Sequence, residues 1–143
     1  GPMTVYDSSK GAVKLITHGS FGEFYSIYWE ALYDLGLTEY SSQIEGLITQ
    51  RLQISQAEEL ALDAGLQRVR SVTRIERFQF DDAKTFFESP LIETTFLDDW
   101  LAILPDPKTR QQALQQLTTV IDRERRQMNF DVSIKATLLI GQK

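Results

Sequence analysis

The chain has 143 residues, 42% hydrophobic and 24% charged, which suits one globular domain with its own core. It has no cysteine, which excludes a disulfide framework, a thiolate nucleophile, an iron–sulfur cluster and thiolate zinc, and its single histidine, His18, excludes a multi-histidine metal site within one chain. Fifteen basic residues against 20 acidic ones leave a net charge of −5, which argues against nucleic acid as a partner.

Residues 11–17 form a short, mostly apolar run that reads as a strand covered on both faces. Ser20 and Glu23 have capping-box spacing, with Ser20 as N-cap. Phe21, Phe24, Tyr25, Tyr28, Trp29 and Leu32 then make one wide apolar helix face, and Gly36 ends it. Ile44, Leu47, Ile48 and Leu52 suit a short helical connection. Ser55 and Glu58 give a second capping box, opening a helix that turns Ala57, Leu60, Ala61 and Ala64 inward and stops at Gly65.

Residues 68–80 read as a long strand whose apolar phase slips between Ile75 and Phe78, as a bulge or a change of partner would produce. Asp81 or Asp82 can cap a short helix holding Phe86 and Phe87. Ser89-Pro90 and Asp106-Pro107 are both helix-start signals. The first of these helices is expected to bury Ile92, Phe96, Trp100 and Ile103, the second Leu114, Leu117, Val120 and Ile121. Phe130, Val132, Ile134, Ala136, Leu138 and Ile140 recur at period 2, the pattern of a strand packed strongly on one face.

No apolar stretch approaches the roughly 20 residues of a membrane helix, and no signal peptide is visible. A cytoplasmic chain without a membrane partner is the expectation. Gly1-Pro2 before Met3 has the form of a tag-cleavage scar, which leaves 3–143 as a single domain. The predicted class is α/β, or α+β as an isolated unit: a three-stranded mixed sheet with about five helices.

In their order, these segments resemble the C-terminal half of a class I S-adenosylmethionine-dependent methyltransferase. Residues 11–17 are similar to that fold's fifth strand, with Ser9-Lys10-Gly11-Ala12 a degenerate form of the preceding turn. Residues 57–69 are similar to its helix and turn into the sixth strand. Residues 130–143 are similar to its closing seventh strand, which inserts antiparallel between the fifth and sixth. Residues 81–127 would be the variable helical segment that covers the substrate.

The resemblance also implies what is missing. The family binds its cofactor through a glycine-rich turn and an acidic residue in its first two strands, and neither is found here. No cofactor or metal is therefore expected on this chain alone. The implied function is the substrate-side portion of a methyltransferase, truncated or split and inactive by itself. The alternatives are a non-catalytic methyltransferase-like assembly module and a small α+β protein that binds an apolar ligand.

His18, following the first strand, is the one candidate general base. Tyr25, Trp29, Phe87 and Trp100 are candidates to line a pocket for a hydrophobic small molecule; each also has an ordinary role as core. Arg68, Arg70, Arg74 and Arg77 mark either an edge protected from aggregation or a partner surface. Without a fourth-strand neighbour the 11–17 strand has a free edge. That predicts a homodimer or a partner chain pairing there, unless residues 3–10 cover it.

Overall fold

The computed structural model describes residues 4–7, 12–17, 19–49, 53–127 and 130–142. The suspected scar at 1–2, His18, and residues 8–11 of the turn before the first predicted strand lie outside them. The elements are β1 (Thr4–Asp7), β2 (Ala12–Ile16), α1 (Gly22–Asp34), a 3-10 turn (Thr38–Tyr40), α2 (Ser42–Thr49), α3 (Ile54–Asp63) and β3 (Gln67–Phe80). They continue with α4 (Ala83–Glu88), a π-helical turn (Ile92–Phe96), α5 (Leu97–Leu101), α6 (Pro107–Gln127) and β4 (Phe130–Gln142).

The class is α+β, with one four-stranded sheet in the order β1-β2-β4-β3. The last described strand, β4, lies between β2 and β3. β2 pairs antiparallel with β4 in a constant register, from Ala12 opposite Ile140 to Ile16 opposite Ala136. Side-chain neighbours fix β3 on the other side. Phe80 meets Phe130, Thr73 meets Thr137, and Val69 stands by Gly141. These contacts run in opposite order along the two strands, so this pair is antiparallel too.

The predicted mixed sheet is thus corrected to an antiparallel one. β2 and β3 run the same way, but β4 separates them, so no two like-directed strands are neighbours. A strand not anticipated as such, β1, pairs antiparallel with β2 from Thr4 opposite Leu15 to Asp7 opposite Ala12. β2 is therefore paired on both sides within the chain, with Thr4–Asp7 covering the edge of Ala12–Leu15 that was expected to be free.

On either side of the predicted slip near Ile75–Phe78, the Thr73–Thr137 and Phe80–Phe130 contacts keep the same offset between β3 and β4. Burial changes face along β4. Phe130, Val132, Ile134 and Ala136 are buried on one face; from Thr137 onward Thr137, Leu139 and Gly141 are buried on the other. Strict alternation of side chains makes this a change of cover, not of backbone. Leu138, expected in the core, is 37% exposed.

The chain divides into two compact units. The first comprises residues 1–20, 48–77 and 133–143. Here Ala57 and Ala61 of α3, with Leu66, pack on Leu15 and Leu139. Gly65, with φ +95°, ends α3 as expected. A methyl group at Gly141 would stand 3.0 Å from Leu66 Cβ, so this position is held to glycine by close packing.

The α3 start differs from the predicted Ser55/Glu58 box. The N-cap is Gln53, whose amide donates to Gln56 Oε1 at 3.0 Å. Glu58 is engaged elsewhere, accepting from the Ser71 hydroxyl at 3.0 Å.

The second unit comprises residues 21–47 and 78–132. Helix α1 buries Phe24, Tyr25, Ile27, Tyr28, Ala31 and Leu32. Gly36, at φ +70°, follows its last turn. Asp82 and Asp106 cap as expected, accepting from the Thr85 and Thr109 amides at 2.7 Å each. Helix begins at Pro90 as expected, the Ser89 carbonyl accepting from the Glu93 amide at 2.9 Å, but the Ser89 hydroxyl donates back to the Phe86 carbonyl at 2.7 Å and does not cap it. The π turn at Ile92–Phe96 shifts the helical phase, so that Leu104 is buried rather than Ile103. On α6, Ala113, Leu117, Val120 and Ile121 are buried, and Leu114 is half-buried.

Candidate functional site

The chain leaves β2 through Thr17, Gly19 and Ser20, and this exit is built from polar groups. The Thr17 amide donates to the Lys135 carbonyl at 2.9 Å. Thr17 Oγ1 lies 3.2 Å from the same carbonyl and 3.0 Å from Thr137 Oγ1, which in turn is 2.9 Å from Thr73 Oγ1. One consistent assignment has Thr73 donate to Thr137, Thr137 to Thr17, and Thr17 to the carbonyl. The row crosses β3, β4 and the end of β2, and Thr17 and Thr137 are buried. Each buried hydroxyl is satisfied, so the row orders the sheet without leaving a polar group unpaired.

Ser20 belongs to this network and not to a helix cap. Its hydroxyl donates to the Thr17 carbonyl at 2.9 Å and accepts from the Lys135 amide at 2.9 Å. The N-cap of α1 is Phe21, in the left-handed region at φ +64° with no side-chain cap. Such a conformation costs a non-glycine residue about 1–2 kcal/mol. Full burial of the Phe21 ring, edge-on to Phe96 and Trp100 at 4.6 and 5.3 Å, holds it there. Gly19, at φ +94°, is crossed closely by the Lys135 side chain, whose Nζ would stand 3.1 Å from a Cβ.

In the second unit, three of the four pocket candidates come together. Tyr25, Phe87 and Trp100 are buried in an aromatic cluster of α1, α4, the π turn and α5. Trp100 stacks on Phe24 with ring centroids 4.0 Å apart and meets Tyr25 edge-on at 6.2 Å. Phe24 also meets Phe87 edge-on at 6.2 Å. Trp29 does not join them: it is 43% exposed, because the buried arc of α1 is centred on Phe24 and Tyr28 and passes through Ile27.

Tyr28 closes the cluster, donating from its hydroxyl to the Trp100 carbonyl at 2.8 Å. Burial pushes its phenol well above the ordinary value, with Arg110 opposing weakly. Trp100 Nε1 is buried with no hydrogen-bond partner among the described residues. The neighbouring rings, packed on one another, give the candidates a core role in this state.

A third feature was not singled out by the sequence. Lys14, Val72, Arg74, Glu76, Ala136 and Leu138 line an open groove of about 370 Å³ on one sheet face. Lys14 Nζ and Glu76 Oε1 form an ion pair at 3.0 Å across it. The signal was present in the alternation: Val72, Arg74 and Glu76 share a face, and β4 places Leu138 and Ala136 beside them. Among the described residues no three acidic or histidine side chains converge as metal ligands, and no helix is long and apolar enough to cross a membrane.

No family model matches the chain, and no curated protein matches it in sequence.

Proposed function

We propose that the chain is the substrate-side portion of a methyltransferase-like protein and is catalytically inactive alone. The observation that carries this reading is the sheet. A late strand, β4, lies antiparallel between two like-directed strands, β2 and β3. The helices between β3 and β4, with Phe87 and Trp100 in them, would on this reading be the substrate-covering segment expected over 81–127. On this reading S-adenosylmethionine belongs to a cofactor half that residues 4–142 do not contain. Tyr25, Phe87 and Trp100 would form the apolar wall of the acceptor side, and His18 stays the candidate base.

A second reading, a non-catalytic assembly module, is favoured by β1. That strand takes the edge of β2 where a complete methyltransferase sheet continues, and so closes the sheet from within the chain.

The coding sequence around this chain separates the two. The first reading expects a strand followed by a glycine-rich turn, encoded upstream in the same frame or in an adjacent gene. An isolated gene starting at Met3, with no such neighbour, would overturn it in favour of the second.

A further inference from the structure

β3 is an edge strand of the sheet among the described residues, 14 residues long, and none of its residues is buried. An unpaired edge of this length offers a row of backbone donors and acceptors to another extended segment. Its side chains are not neutral toward what could pair there. Alternation puts Arg70, Val72 and Arg74 on one face, the face of the groove. Val72 is 43% exposed and lies beside exposed Leu138 at the groove floor. Glu76, the acid nearest these arginines on that face, is already paired with Lys14. Among the described residues no ion pair engages Arg70 or Arg74.

We propose that the β3 edge binds an extended acidic segment of a partner protein by strand addition. The segment carries an apolar residue opposite Val72, with an acidic residue two positions to either side opposite Arg70 and Arg74. Backbone hydrogen bonds supply the pairing, and the alternate side chains supply register and selectivity. A second copy of this chain fits less well. Centred on Val72, an antiparallel pair of β3 edges sets Arg70 of one copy against Arg74 of the other, and like charges directly opposite are destabilising. The proposal does not depend on the methyltransferase reading, since β3 is an edge strand under either.

The test is an NMR titration of the isotope-labelled chain with the probe peptide acetyl-Thr-Glu-Thr-Val-Thr-Glu-Thr-amide. Saturable shifts confined to β3 and the groove are expected, with affinity falling at least about tenfold in the R70E/R74E variant. Replacing both probe glutamates by lysine should restore binding to that variant and abolish it for the parent chain. Methylating the probe's backbone nitrogens on the pairing edge should abolish binding. The proposal is overturned if R70E/R74E binds the original probe as well as the parent does. It is equally overturned if polyglutamate of the same charge competes equally well, or if light scattering shows a dimer that the R70E/R74E variant abolishes.

Discussion

The indole of Trp100 lies 4.0 Å from the ring of Phe24, tilted only 21° from parallel. Around this pair the second unit gathers Phe21, Tyr25, Phe86 and Phe96, all buried. Deleting the indole leaves a large cavity, so Trp100→Ala should cost about 3–5 kcal/mol in urea unfolding. Trp100→Phe keeps an aromatic ring and removes the unpaired Nε1 donor. Its cost should be well below that of Trp100→Ala, since the lost volume is partly offset by removal of a buried unsatisfied group. Equal losses for the two variants would count against the stacking as the main contribution.

Tyr28 gives the cluster a pH dependence. Its folded-state phenol lies above the ordinary value of 10.0 because burial disfavours the phenolate. The folded chain therefore holds this proton more tightly than the unfolded chain. The associated stability is fully present below pH 10.0 and is lost as pH rises beyond it toward the raised folded value. Tyr28→Phe should flatten that alkaline decline. At neutral pH it should cost about 1 kcal/mol for the lost hydrogen bond to the Trp100 carbonyl. Urea midpoints measured from neutral to alkaline pH check both.

Thr137 is the centre of the hydroxyl row, with a partner on either side. Thr137→Val preserves shape but removes the hydroxyl that links Thr73 to Thr17, and should cost about 1 kcal/mol. Thr137→Ser keeps the hydroxyl and should retain most of that stability. Ser20 makes a separate test of the same region. Its replacement by alanine should speed hydrogen exchange at the Lys135 amide and leave the first turn of α1 unchanged, because Ser20 ties β4 to the β2 exit and caps nothing.

Arg68, the second residue of β3, has φ +53°, a left-handed conformation for a residue with a Cβ. It is exposed, so no packing is at stake. Arg68→Gly should relieve about 1 kcal/mol of strain, less whatever extra freedom glycine gains in the unfolded chain. A net change between zero and stabilisation is expected by chemical denaturation; a clear loss would mean that the arginine side chain makes a contact of its own.

Local punctuation was legible in the sequence. Gly36 and Gly65 end their helices in left-handed turns, and Asp82 and Asp106 cap theirs, because each signal acts within a few residues. Signals that depend on distant partners were read less well. Ser20 and Glu58 have capping-box spacing, but Lys135 and Ser71 claim their side chains across the sheet. The alternation of β4 is real, yet it could not reveal that cover passes to the opposite face after Ala136. Trp29 fell outside the buried arc by less than one residue's rotation. The cluster of Tyr25, Phe87 and Trp100 was foreseeable as apolar residues on separate helices, but not as one closed packing of rings.

The most direct test of the proposed function is a calorimetric titration with S-adenosylhomocysteine. It compares the chain alone with the chain joined to the polypeptide encoded before it. A substrate-side portion should give no binding heat alone and micromolar binding once joined. Micromolar binding by the chain alone, or none by the joined protein, would contradict the account.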